Sequence, residues 1–385
     1  MTCITNKKQI AGLLIVIVPV MIVLSWLQSC DTQKDPQQLG FIGTLSGKYS
    51  DLGLDVLEGM QLAIQEVNEQ GGVKGRLIEL VVKDDGGKPD QAIDCAKSLL
   101  KQGVGTIVGP NLSSVAVKLV PWCNEHNMLL VSPTVSTSLL AGIDDSLIRI
   151  IPHNGYHSAK SMAEFVKNKM QLDSGVILYD QNNAAYAEDI VLHTERALRE
   201  LGVEIKSTPF NAGKNFDYGT MVRQTVSAEI DFVYLISSAL DSAMFCWQLK
   251  KQQCKPAIFV RDWALTDEFY RVGNEAVEGV ILLTSAISLQ ETEVFNKFSM
   301  KMQERTPRKS GKFMVYGYEA AQVVLTCLVA DIGNLKQAIL SIKTFQGLQD
   351  EFVIDSFGDV QRPVFSVRIE EGEIVPFNPQ PRSEE

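Results

Sequence analysis

The chain has 385 residues, with 36 Lys and Arg against 46 Asp and Glu, for a net charge of −10. That length accommodates two domains of ordinary size. An acidic balance with no run of Lys or Arg argues against a nucleic-acid partner.

The first segment to read is the N-terminus. Lys7 and Lys8 precede an unbroken apolar run, "IAGLLIVIVPVMIVLSW", from Ile10 to Trp26. A basic stretch followed by such a run is the pattern of an export signal. The run closes on Leu27-Gln28-Ser29-Cys30, which resembles the lipobox of bacterial lipoproteins and implies a signal peptide over 1–29 with a lipid anchor on Cys30. The alternative is an uncleaved single-span anchor, since the run is near the short limit of about 17–25 residues for a span. Both readings place the bulk of the protein outside the cytoplasm and tethered to a membrane. The polar "DTQKDPQQ" that follows reads as part of a tether over 30–38.

From Leu39 onward, strand-like apolar runs alternate with helical ones, which predicts βαβ units and a mostly parallel sheet. The strand candidates are "LGFIGTL", "LIELVVK", "VGTIV" and "MLLV", then "GVILY", "DFVYLI", "AIFV" and "GVILLT". Helical spacing is expected over 54–69, 89–102, 113–126, 157–170, 185–200 and 240–252, with Pro89 suited to a first turn. No solenoid-length repeat and no long Gly/Ser linker divides the chain, although it is long for one core. Two lobes joined by several crossings would reconcile these features. Of the seven cysteines, Cys95, Cys123, Cys246, Cys254 and Cys327 fall in the exported part, an odd and widely spaced set that is no disulfide framework. A Cys246–Cys254 bridge is left open, though a continuous helix would hold the two apart.

"TIVGPNLSSVAVKLV" (106–120) runs a strand candidate into two serines that open a helix. In open α/β sheets, ligands bind beyond the carboxyl ends of strands, where helix N-termini offer unpaired N–H groups. Ser113 and Ser114 would suit a carboxylate there. A plain helix cap is the competing reading. "MLLVSPTVSTSLL" (128–140) repeats the pattern with Thr134, Ser136 and Thr137, and "FIGTLSGKYSDLG" (41–53) adds a third such turn.

Together, "GTLSGKYSDLG", "VNEQGGVKG", "VKDDGG", "VGPNLSS" and "VSPTVSTSLL" resemble the type I periplasmic binding proteins, in particular the branched-chain amino-acid substrate-binding proteins of ABC transporters. The resemblance runs from about residue 39 into the 350s. It implies an α/β fold of two Rossmann-like lobes, lobe I over 39–152 and 285–352 and lobe II over 153–284 and 353–385, joined near residues 152, 284 and 353. It also implies that Ser113 and Ser136 hold the carboxylate of a bound amino acid, and that the Thr134 carbonyl takes up its ammonium. Tyr186, in "DQNNAAYAED", matches the tyrosine of the second lobe, with one residue inserted and Ala187 in place of a glycine. Asp262, in "FVRDWALTDEF", matches the acid that pairs with the ammonium, and a buried ammonium needs such a counter-charge.

Leu52 departs from an aromatic residue common in the family, and the family's cysteine pair near "DD" and "VGP" is absent. Leu52, Tyr186 and Trp263 are therefore the candidate walls of a side-chain pocket, which favours an aliphatic or aromatic amino acid over an acidic one. The implied partners are a small amino acid, an ABC permease and the membrane through the lipid anchor, with no cofactor and no metal.

An enzyme is the competing class. No G-x-S-x-G elbow is present, and His126, His153, His157 and His193 lack the context of a general base. "GVGTIVG" misses the dinucleotide fingerprint, and His153 with His157 lacks further metal-ligating neighbours in the sequence. A third reading keeps the fold and makes the protein an anchored sensor for an amino acid, an amide or a small organic acid.

Overall fold

The computed structural model describes residues 34–284, 292–306, 311–330 and 334–379. The export signal, the lipobox and Cys30 lie outside them, as does the stretch just after residue 284 where a crossing is expected.

The first lobe is built on a parallel sheet of β1 (Gln37–Gly43), β2 (Ile78–Asp84), β3 (Thr106–Val108), β4 (Leu129–Ser132) and β5 (Leu147–Arg149), in the order β2-β1-β3-β4-β5. Helices α1 (Ser50–Glu69), α2 (Pro89–Lys101) and α3 (Ser113–Glu125) connect successive strands. The strands are short and rich in Val, Ile and Leu, the composition expected of a sheet covered on both faces.

The second lobe repeats the scheme with β6 (Ser174–Asp180), β7 (Glu204–Phe210), β8 (Phe232–Ile236), β9 (Ala257–Val260) and β10 (Ile281–Thr284). Its helices are α4 (Tyr156–Glu164), α5 (Ala184–Glu200), α6 (Tyr218–Thr225), α7 (Ala239–Lys251) and α8 (Asp267–Gly273). A π-helical turn, Phe165–Lys169, extends α4.

After the second sheet the chain returns to the first lobe through α9 (Glu293–Arg305), α10 (Lys312–Ala330) and α11 (Leu335–Ile342). Among the described residues, α10 is the helix long and apolar enough to cross a membrane, yet most of it is buried in the protein core. Its tight fit against α1 depends on glycine. A Cβ at Gly59 would stand 1.9 Å from the Met314 carbonyl oxygen, and one at Gly317 would stand 2.0 Å from that of Val56. The two backbones therefore approach more closely than any side chain would allow.

A small antiparallel sheet of β11 (Thr344–Gln346), β12 (Glu351–Ile354) and β13 (Val360–Gln361) follows. It packs at the edge of the first sheet, where the Arg149 amide donates to the Gly358 carbonyl at 2.9 Å. The pairing of β12 with β13 keeps the chain beside the first lobe through Gln361, so the last passage runs over Arg362–Val364, later than residue 353. Two antiparallel strands, β14 (Phe365–Glu370) and β15 (Glu373–Pro376), then complete a seven-stranded second sheet in the order β15-β14-β10-β9-β8-β6-β7. Cys95, Cys123, Cys246, Cys254 and Cys327 are all free thiols, so Cys246 and Cys254 are unbridged.

Candidate functional site

The carboxyl ends of the two sheets face one another across a cavity of about 720 Å³. Leu52, Ser113, Thr134, Ser136, Tyr186, Asp262 and Trp263 all line it. The structure thus brings these seven together, whereas Ser114 and Thr137 do not line the cavity: Ser114 is engaged with Asn183 and Ala185 of the second lobe, and the Thr137 carbonyl accepts from Arg149.

On the first lobe, β3 ends in a Gly-Pro turn that delivers Asn111 and Ser113 to the cavity. Leu112, not a serine, is the residue preceding α3, and no side chain caps that helix end. Ser113 is buried and its Oγ has no hydrogen-bond partner, so the plain-cap reading does not describe it. Both amide atoms of buried Asn111 are also without partners. Such groups are costly inside a protein unless something completes them. Beyond β4, the Thr134 hydroxyl donates to the Asn111 carbonyl at 2.8 Å, which locks the two strand ends together. Ser136 Oγ accepts from Asn154 Nδ2 at 2.8 Å.

The second lobe presents charge and rings. Arg261 and Asp262 follow β9; Arg261 Nη2 donates to Asn154 Oδ1 at 2.5 Å, linking this wall to Ser136. Asp262 Oδ2 lies 2.9 Å from Lys312 Nζ, at the start of α10, and accepts from Thr284 Oγ1 at 3.2 Å. Its Oδ1 is buried without a partner. Burial pushes the Lys312 ammonium down to a pKa of about 8, against the opposing pull of Asp262. Trp263 packs between Tyr49 of the first lobe and Tyr186 of the second, at ring-centroid distances of 5.2 and 5.4 Å. Asn111, Asn154, Arg261 and Lys312 were not singled out from sequence. Arg261 stands next to Asp262, and Lys312 is a lone lysine opening an apolar helix; these were the available signals.

The lobes also meet at the rim. Lys48, from the turn after β1, reaches two acids of the second lobe, Asp180 Oδ2 at 3.2 Å and Asp241 Oδ2 at 2.7 Å. Tyr49 donates its hydroxyl to Asp180 at 2.7 Å. The Ser114 amide donates to Asn183 Oδ1 at 3.0 Å, and Ser114 Oγ accepts from the Ala185 amide at 3.1 Å. Thr266 Oγ1 donates to Asp51 Oδ2 at 2.6 Å. The cleft is therefore closed in this structure. Among the described residues, no three His, Cys, Asp or Glu side chains gather as metal ligands. His153 accepts from the Gly155 amide at 3.2 Å, while His157 is exposed at the rim.

A family profile described as periplasmic binding protein matches residues 36–373. A "Leu/Ile/Val-binding protein homolog 3" from Brucella melitensis biotype 1 is 21% identical over 345 residues, covering 88% of this chain and 92% of its own. The crystal structure of a leucine binding protein from Thermotoga maritima superposes with a TM-score of 0.80 at 22% identity, covering 88% of this chain and 97% of the other. A solute binding protein of an ABC transporter from R. palustris, in complex with benzoate, gives a TM-score of 0.79 at 16% identity, over 89% and 96% of the two chains.

Proposed function

The chain belongs to the periplasmic binding protein family, as a type I member related to the branched-chain amino-acid-binding proteins, and from that premise we propose that it captures a small α-amino acid by closing two hinged lobes over it. It is a binding protein and not an enzyme, and its place is outside the cytoplasm. Lobe I comprises 39–152 and 285–352 and lobe II 153–284 and 353–385 in this reading, with the last linker extended to Val364 by the β12–β13 pairing.

The observation that carries the proposal is the set of buried, incomplete polar atoms on the two facing walls. Ser113 Oγ and the Asn111 amide await a partner on one side, and Asp262 Oδ1 awaits one on the other. A zwitterion completes both. Its carboxylate meets Ser113, Ser136 and the N-terminus of α3, a neutral surface with a favourable dipole. Its ammonium meets the Thr134 carbonyl and Asp262. Leu52, Tyr186 and Trp263 shape the space left for the side chain. Three or four charge-assisted hydrogen bonds, each contributing about 1.5–3 kcal/mol and reduced by ordering costs, are compatible with micromolar binding near ~8 kcal/mol.

Closure is then the signal. A ligand shifts the lobes toward the closed form only through contacts that this form adds. In the full proposal the protein is a lipoprotein anchored through Cys30 that hands its ligand to an ABC permease.

The test is thermal unfolding of the purified protein against the common amino acids. A ligand at a hundred times its Kd adds about 2.7 kcal/mol of stability, and the melting temperature rises accordingly. The combined variant Ser113→Ala with Asp262→Ala abolishes the rise. An unchanged melting temperature across the whole panel would defeat the amino-acid reading.

A further inference from the structure

The charges around this cavity are unbalanced for a neutral amino acid, an inference that rests on the amino-acid reading above. Three ionised side chains converge beyond β9: Arg261, Asp262 and Lys312. Asp262 carries the single negative charge of this group, at 2.9 Å from Lys312 Nζ. Half-buried Arg261 feels the charge of the adjacent Asp262, but its hydrogen-bonding companions are neutral. It donates to Asn154 Oδ1, and its other neighbours are the phenols of Tyr186 and Tyr234, whose burial raises their pKa and keeps them protonated. Arg261 Nε is buried without a hydrogen-bond partner, and Lys312 Nζ has none beyond Asp262.

The other arginines and the rim lysine near the cavity have acidic partners of their own. Arg362 lies 2.6 Å from Glu319 and 3.5 Å from Asp350, and burial raises the pKa of both carboxyls. Arg149 pairs with Asp359 at 2.8 Å. Burial, with Arg149 nearby, lowers the pKa of His153 and keeps its ring neutral. Lys48 faces two acids, Asp180 and Asp241, at the rim, so it contributes no spare positive charge. Within the Arg261, Asp262 and Lys312 group, two cations therefore stand against one anion, and a zwitterion with an apolar side chain leaves that local excess in place. An uncompensated charge sealed from water is strongly unfavourable.

We propose that the ligand is an acidic α-amino acid, whose side-chain carboxylate faces Arg261 and Lys312 while its ammonium meets Asp262 Oδ1. The additional negative charge brings the group to neutrality and gives the open donors of Arg261 and Lys312 an acceptor. Leu52 and Trp263 then flank the methylene portion of the side chain. This departs from the aliphatic or aromatic preference read from Leu52, Tyr186 and Trp263, which took no account of Lys312.

Calorimetric titration of the purified protein at pH 7 with glutamate, aspartate, leucine and benzoate tests it, on the natural protein and on Lys312→Met. At least one of the two acids is expected to bind tenfold or more tighter than leucine, and Lys312→Met to erase that advantage. Leucine binding as tightly as both acids, or more so, overturns the inference and leaves the amino-acid reading standing. Benzoate binding with no amino acid bound overturns both. Should Lys312→Met fail to fold, the ranking of the four ligands on the natural protein decides.

Discussion

The two walls of the cleft occupy equivalent places, each at the carboxyl ends of a parallel sheet, yet they differ in chemistry. The first sheet offers Asn111, Ser113, Thr134 and Ser136, all uncharged. The second offers Asp180, Arg261 and Asp262. Hydroxyls and amides are content in water, so the first wall stands ready while the cleft is open. Charged groups brought into a dry cleft need partners. Closure supplies them from the first lobe: Lys48 reaches Asp180 and Asp241, and Lys312 reaches Asp262. Under the proposed function, the neutral wall receives the ligand and the charged wall closes on it.

This division is broken most severely at Lys48. Replacing it with Ala leaves the two buried carboxylates of the second lobe without their lysine and removes one of the bonds that hold the lobes together. Loss of a hydrogen bond to a charged group, at about 2 kcal/mol, weakens ligand binding about thirtyfold. Titration calorimetry measures it. An unchanged Kd would show that the rim pair does not contribute to closure.

A smaller and sharper test uses pH. Lysine ordinarily keeps its proton to about pH 10.4, whereas Lys312, with its pKa lowered to about 8, begins to lose it well before that. A ligand carboxylate favours the protonated form, so its affinity is steady below pH 8 and falls above it. Between pH 7 and pH 9 the Kd for glutamate is expected to rise about tenfold more than that for leucine. Leucine serves as the control because both ligands carry the same α-amino group. Parallel curves would remove Lys312 from the recognition of the second carboxylate.

Much of the framework was legible from sequence because its determinants are local. Strand runs such as "DFVYLI" and "AIFV" correspond to Phe232–Ile236 and Ala257–Val260, and the helical spacings at 113–126 and 185–200 to Ser113–Glu125 and Ala184–Glu200. What escaped was non-local. The segments Phe365–Glu370 and Glu373–Pro376 are short and partly exposed, and they become strands only by pairing with Ile281–Thr284 and with each other. The β12–β13 pairing, which delays the last crossing, is of the same kind.

The candidate site divides along similar lines. Ser113, Thr134 and Ser136 stood out because strand ends announce themselves, and Asp262 through the family resemblance. Lys312 did not, since its role depends on an acid fifty residues earlier in the chain. One local signal was available: a lysine in the first turn of a helix opposes the helix dipole, which points to an acid held nearby.

The central claim is that one small amino acid draws two hinged lobes together, and small-angle X-ray scattering of the purified protein tests it most directly. The account predicts that the radius of gyration falls when the ligand selected by calorimetry is added, and that the Ser113→Ala, Asp262→Ala variant shows no change. A radius that stays constant while the ligand is demonstrably bound would contradict it.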